Sequence, residues 1–247
     1  MKKIIFDMLA LEVTRRCNMN CAHCLRGNAE NKDLLPETLH TVLRQTESVG
    51  ELTFTGGEPT LNLPIIRETL RYCKKNHIPV YSFYLVTNGK KISQEFLMLM
   101  IEWYAYCVEC GGDDESIGVA LSKDKYHEPI DMHNEMMLKA LGFYRPEDKH
   151  VDYNKYAPIN LGKARSLPNT REDRTVFDEI DVTEENGYLR VSDRTILITT
   201  EGDILAECDY EYSDPDSVWI CRAENASATF KKIMSNPSFN WKKQKRA

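Results

Sequence analysis

The sequence has no apolar run near the ~18 residues that a membrane-spanning helix needs. A stretch such as residues 96–101 is six residues long. Basic charge is not in excess either. The chain carries 32 Lys and Arg against 38 Asp and Glu, a formal net charge of −6, which argues against a nucleic-acid binder. Glycine and proline are sparse, 12 and 10 of 247 residues, so neither a collagen-like repeat nor a low-complexity linker is present. Lys2 and Lys3 precede an apolar stretch in the manner of an export signal, but Asp7 and Glu12 interrupt it and no small-residue cleavage site follows. A cytoplasmic protein, with no membrane and no nucleic-acid partner, is expected. What is abundant is core-forming material. The chain is 42% hydrophobic and 28% charged, the balance of one large globular domain or two small ones.

Short apolar strands alternate with amphipathic helices. Strands are expected at residues 8–13, 51–55, 80–86 and 117–121. Helices are expected after Pro36, with Leu39, Val42, Leu43 and Val49 on one face, after Pro64, after Ser93 and around Met132–Leu141. Further strands are expected near Val151 and at residues 188–191. This alternation predicts an α/β protein with a parallel sheet. In such folds ligands bind at the carboxyl ends of the strands, which is where the glycine-rich and polar motifs fall here.

The composition changes towards the C-terminus. Residues 171–216 hold fifteen acidic and four basic side chains, and residues 231–246 hold six basic and no acidic ones. Both read as solvated surface. Residues 196–200 and 203–206, joined by Glu201-Gly202, read as a β-hairpin. The expected division is a core of residues 1–195 and a hairpin extension with a basic tail, residues 196–247.

Eight cysteines lie at 17, 21, 24, 73, 107, 110, 208 and 221. Three of them fall within eight residues, in a chain long enough to need no disulfide frame, which points to metal or redox chemistry. Cys17-x3-Cys21-x2-Cys24 can present three thiolates to three irons of a cubane and leave the fourth iron open for a ligand. The other reading is structural zinc, for which His23 is the one nearby fourth ligand, awkwardly placed inside the second spacing. A second motif, Gly56-Gly57-Glu58-Pro59, ends the second strand. Its glycines let backbone approach a ligand closely, and its carboxylate suits an ammonium group.

Together these motifs resemble the radical S-adenosylmethionine superfamily, over roughly residues 8–165. Leu11-Glu12-Val13-Thr14 resembles the lead-in to the cysteines, Thr87-Asn88-Gly89 a strand-end turn of the family, and Ser122-Lys123-Asp124 with Tyr126-His127 a segment that approaches the cofactor. Asn160-Leu161-Gly162-Lys163-Ala164 is similar to a Gly-Arg-Ala segment, with Lys163 in place of Arg. The resemblance implies a partial (β/α)6-type parallel barrel. It implies a [4Fe–4S] cluster on Cys17, Cys21 and Cys24, with S-adenosylmethionine completing the fourth iron. His23 would lie near the adenine. Glu58, with backbone of Gly56 and Gly57, would hold the ammonium group, and Ser122 and Asn88 the ribose or carboxylate. It also implies a flavodoxin- or ferredoxin-type reductant and hydrogen abstraction from a substrate by a 5′-deoxyadenosyl radical.

The segment from Ile198 to Cys208 resembles the hairpin that opens SPASM or twitch extensions, truncated here, which favours a peptide or protein side chain as substrate. Cys107, Cys110, Cys208 and Cys221 would suffice for an auxiliary cluster only if the fold gathered them, and ordinary free cysteines are expected instead. The alternatives are a glycyl-radical-enzyme activase and a small-molecule or nucleotide enzyme. A non-enzymatic iron–sulfur carrier is disfavoured, because it has no use for an ammonium site. Glu12, on an otherwise apolar strand, needs a partner, for which Arg15 or Arg16 is expected.

Overall fold

The first strand, β1 (Ile4–Thr14), is buried at every residue from Leu9 to Thr14. Such a strand belongs in the interior of a parallel sheet with both faces covered. It pairs in parallel with β2 (Thr46–Gly56) on one side and with β7 (Tyr188–Ile198) on the other. The computed structural model describes residues 2–113, 115–145, 157–172, 180–236 and 239–241.

Beyond β2 the sheet continues in parallel through β3 (Val80–Thr87), β4 (Gly118–Leu121) and β5 (Tyr144–Arg145). Helices α1 (Pro36–Leu43), α2 (Leu63–Asn76), α3 (Gln94–Glu109) and α4 (Met132–Lys139) supply the crossovers. Their ends follow local chemistry. Proline occupies the first turn of α1 and of α2. His77 closes α2 in the left-handed conformation, φ 53°. The Ser93 hydroxyl accepts from Phe96 N at 3.1 Å at the start of α3.

Beyond β7 come β8 (Asp203–Leu205) and β9 (Trp219–Arg222), both antiparallel, while β6 (Asp181–Glu185) pairs antiparallel with β7; α5 (Ala226–Ser235) follows β9. The sheet order is β5-β4-β3-β2-β1-β7-β8-β9. The expected mixed α/β fold with a mostly parallel sheet is therefore present, and among the described residues the sheet does not close. The expected hairpin is β7–β8, with Ile198 opposite Ile204. The boundary expected at 195/196 falls inside β7.

Val49 lies in β2, not in the helix opened by Pro36. The helix stops at Leu43 because pairing with β1 begins already at Thr46, opposite Ile4. The strand expected near Val151 and four of the six basic residues of the tail lie outside the described residues.

Alternation along the strands divides the two faces. Leu9, Leu11, Leu52, Phe54, Phe83, Leu85, Ile196 and Ile198 join the large core. Ala10, Leu197 and Leu205 face the other way, into a smaller cluster with Tyr210 and Trp219. On that second face β1 also carries Glu12, and β2 carries Glu51, Thr53 and Thr55, a polar surface suited to a ligand. The strand ends are in register, with Thr14 opposite Gly56 and Thr87 opposite Leu121, so the residues that follow them share one edge.

Candidate functional site

The cysteine loop leaves β1 and is tied back onto it. Arg15 N donates to Lys32 O at 2.8 Å, Glu30 N to Arg15 O at 3.0 Å and Leu34 N to Val13 O at 3.1 Å. Within the loop, Cys24 N reaches Cys21 O and Gly27 N reaches Cys24 O, both at 3.3 Å. A distant segment clamps the far side, where Lys163 N donates to Cys24 O at 2.9 Å. Gly162 makes this approach possible. Its φ is +55°, and a Cβ there would meet the Cys24 and Leu25 carbonyl oxygens at 2.5 Å.

The Gly56-Gly57 turn docks on the same loop. Gly57 N donates to Thr14 O and Glu58 N to Arg16 O, each at 2.8 Å. A Cβ on Gly57 would lie 2.2 Å from Arg16 O, so only glycine fits. Cys17, Cys21, Cys24, Gly56 and Gly57 thereby line one cavity, together with Arg26, Lys163 and Tyr212, of about 370 Å³ including the part open to solvent.

The spacing of the thiols selects the kind of metal group they fit. One tetrahedral ion at 2.3 Å holds its sulfurs roughly 3.8 Å apart. Among the described residues the three cysteines are not such a set; His23, Asp124 and His127 are the one trio with ligand atoms within 4.8 Å of one another. A cubane places each thiolate on a different iron and so sets them further apart. The donor set fits a cluster and not a single zinc. Burial pushes the Cys17 thiol above its ordinary pKa. Burial, reinforced by Cys17 and Cys24, pushes Cys21 up to about 11. Both are neutral thiols at pH 7 until a metal displaces the proton.

Glu58 is buried, with 1% of its surface exposed. Its carboxylate accepts from Thr60 N at 3.1 Å, from the Thr60 and Thr87 hydroxyls at 2.7 Å, and from Asn88 N at 2.8 Å. Burial still raises its pKa. The carboxylate thus ties the end of β2 to the end of β3, and it stands behind the cavity wall that Gly56 and Gly57 form. Asn88 turns its side chain to the cysteine loop, with Nδ2 donating to Asn18 Oδ1 at 2.8 Å. Ser122 and His23 occupy an adjoining corner. Ser122 Oγ lies 3.1 Å from His127 Nε2, His23 Nε2 lies 3.3 Å from Asp124 Oδ2, and the His23 ring stacks on Tyr126 at 5.0 Å. Burial lowers the His23 pKa, against the opposing pull of Asp124. Glu58, Asn88, Ser122 and His23 are not among the residues lining the cysteine cavity.

Sequence reasoning missed Tyr212, which lines the cavity from the C-terminal side, and Tyr210 and Thr200, which reach Glu12. Glu12 is fully buried. It accepts from Arg15 Nε at 3.0 Å, as expected, but also from Thr200 N at 2.9 Å and Tyr210 Oη at 2.5 Å. The Arg15 guanidinium lies 4.5 Å from the Tyr212 ring, and that of Arg26 lies 4.4 Å from the Tyr210 ring. The signals available were the Arg two positions after Cys24 and the paired tyrosines of Asp209-Tyr210-Glu211-Tyr212. The remaining cysteines do not gather into one site: Cys73 of α2 lies near Cys107 and Cys110, at the end of α3. Cys107 is buried in α3 and Cys110 caps it, whereas Cys221 is buried in β9 at the other end of the sheet.

Three thiols on one loop, beside a glycine-walled cavity at the carboxyl edge of a mostly parallel sheet, have the layout of a cofactor-binding α/β protein. Residues 11–145 match the family model of the radical SAM superfamily, more than half of the chain, and the chain belongs to that superfamily. The family's cofactors are a [4Fe–4S] cluster and S-adenosylmethionine. The match ends before the C-terminal strands. The chain is 35% identical over 91 residues to an uncharacterized protein of Methanocaldococcus jannaschii, covering 35% of this chain and 32% of that protein. It is 35% identical over 97 residues to GTP 3′,8-cyclase of Clostridium acetobutylicum, covering 36% and 29%. The chain thus matches about a third of the length of these curated relatives. Among solved structures, native anSMEcpe with bound AdoMet and Cp18Cys peptide superimposes with a TM-score of 0.57 at 14% identity, over 98% of this chain and 84% of that one. No helix among the described residues is long and apolar enough to cross a membrane.

Proposed function

We propose that Cys17, Cys21 and Cys24 ligate the [4Fe–4S] cluster, and that the backbone of Gly56 and Gly57 receives the methionine end of S-adenosylmethionine. The observation that carries this reading is the shared cavity, on which three well-separated thiols and the two glycines converge. Bound together, cluster and S-adenosylmethionine supply one-electron cleavage of the sulfonium and hydrogen abstraction from a substrate. The chain's own residues hold and shield that chemistry. Glu58 fixes the glycine turn, and Asn88 braces the loop through Asn18. The corner formed by His23 and Ser122 receives the adenosine half. A flavodoxin- or ferredoxin-type protein supplies the electron.

The substrate we propose is a peptide or protein side chain. The support is the likeness of fold, across nearly the whole chain, to a structure that holds a peptide. A second reading, a nucleotide substrate, is favoured by the local identity to GTP 3′,8-cyclase. The test is anaerobic incubation of the reconstituted, reduced protein with S-adenosylmethionine. 5′-Deoxyadenosine is expected, and Cys17→Ala loses both the brown colour and this product. Full turnover in that variant overturns the ligand assignment. Adding GTP or cysteine-containing peptides then separates the two substrate readings by which of them raises product above the substrate-free level.

A further inference from the structure

Two buried polar groups face the cysteine cavity with hydrogen-bonding capacity in hand. Arg26 is 8% exposed, yet of its five N–H donors one, on Nη1, reaches a protein acceptor, Tyr210 O at 3.2 Å. Its face covers the Tyr210 ring, and no carboxylate pairs with it among the described residues. Tyr212 Oη is buried and makes no hydrogen bond to any described residue. Both side chains line the cysteine cavity and also a neighbouring one, which encloses about 740 Å³ and opens outward. The carboxylate whose charge acts on Arg26, Glu12, is already engaged by Arg15, Thr200 and Tyr210, and a guanidinium taken out of water with so shared a counter-charge is costly. Sited where two cavities meet, it is the mark of a position that an anion completes.

We propose that Arg26 and Tyr212 form a seat for a carboxylate of the substrate. The guanidinium fork matches a carboxylate's two oxygens, and the phenol supplies a further donor. A single negative charge also suits the surroundings better than a phosphate dianion, because Glu30 and Glu211 line the outer cavity opposite Lys163. The proposal rests on the radical enzyme reading and adds the substrate class, namely an acidic side chain or terminal carboxylate of the peptide held beside Cys24.

The test uses the reconstituted holoprotein with S-adenosylmethionine and three probes of one ring: benzoate, benzamide and phenyl phosphate. Calorimetric titration should show binding of benzoate and none of benzamide. Arg26→Gln should weaken benzoate about 10-fold or more, and Tyr212→Phe by a smaller factor. Iron content and melting temperature without probe report whether each variant is folded. Arg26→Lys, which keeps the charge and loses the fork, serves where Arg26→Gln holds no cluster, and it should also weaken benzoate. Absence of benzoate binding, equal binding of benzamide, or benzoate affinity unchanged in the folded variants overturns the seat. Tighter binding of phenyl phosphate than of benzoate overturns the choice of carboxylate. Substrate-free formation of 5′-deoxyadenosine is read separately, so the radical reading and the seat fail independently.

Discussion

Glu12 and Glu58 are both carboxylates sealed inside the protein, and they are kept there by different partners. Glu12 has a cation, Arg15, plus a tyrosine and the backbone of Thr200. Glu58 has four neutral donors and no cation. In Glu58→Gln one oxygen becomes an NH2 group, which must face an N–H or O–H that was donating. Leaving such a group unmatched costs about 1–3 kcal/mol, so this variant should unfold at lower denaturant by that amount. Unchanged stability with a loss of S-adenosylmethionine affinity would instead place Glu58 in direct contact with the ligand. The cysteines and the glycine turn were legible in the sequence because their chemistry is local, with spacings of a few residues. Tyr210 was not, since it meets Glu12 across 198 residues. Nor was Arg26 beside Tyr212, because no short-range pattern marks two residues that only the sheet brings together. The pairing of Glu12 with Arg15 was legible because an apolar strand cannot carry a lone carboxylate, and the nearest arginines follow within four residues.

Secondary elements fix the loop and each other through a few contacts. The turn at Gly162 grips the cysteine loop through Lys163, whose N donates to Cys24 O and whose Nζ donates to Asn20 Oδ1, and the left-handed φ of Gly162 is strained for any side chain. Gly162→Ala should therefore lose cluster occupancy while the sheet persists, read as lower iron content with unchanged far-ultraviolet dichroism. The helices are joined differently. Glu68 on α2 meets His40 on α1 at 2.6 Å and the Arg71 fork at 2.6 and 2.7 Å, and His40 stacks on Tyr72 at 4.6 Å. The hydrogen bonds from Arg71, followed by that from His40, lower the Glu68 pKa from 4.5 to about 2. A depressed carboxylate stabilises the fold above its unfolded value, and the contribution disappears as pH falls from about 4.5 towards 2. The full shift corresponds to roughly 3 kcal/mol, which solvent screening at this surface reduces to about 1 kcal/mol. Glu68→Gln should therefore be less stable by about 1 kcal/mol at pH 7, with the difference narrowing below pH 4.5 in urea titrations. The existence of both helices was legible from Pro36, Pro64 and apolar periodicity. The early start of β2 was not, because pairing with β1 overrides the local pattern at Val49.

At the scale of the whole molecule, the C-terminal strands belong to the same hydrogen-bonded sheet as the radical core. Leu9, Ala10 and Leu11 of β1 pair with Ile196, Leu197 and Ile198 of β7. Phe230 of α5 meets Phe6 edge-on at 6.1 Å, and Tyr210 and Thr200 supply two of the partners of Glu12. Removing residues 196–247 would take the β7 partners from Leu9, Ala10 and Leu11 of β1 and leave Glu12 short of donors. Each large apolar side chain lost from a core is worth about 1.5–3 kcal/mol, and Ile196, Ile198, Ile204, Leu205, Trp219 and Phe230 are all buried. The six together come to about 9–18 kcal/mol, as large as the roughly 5–15 kcal/mol by which domains are stable. A chain ending at Thr195 should therefore show no cooperative melting and hold no cluster, although its cysteines and the Gly56-Gly57 turn are intact. Cooperative melting with full iron in that truncated chain would mean that the extension is dispensable to the core and that 195/196 is a true domain boundary. The charge that needs Tyr210 and the loop that needs Gly162 both lie within the first thirty residues, while their supports arrive from the second half of the chain, as in one cooperative unit.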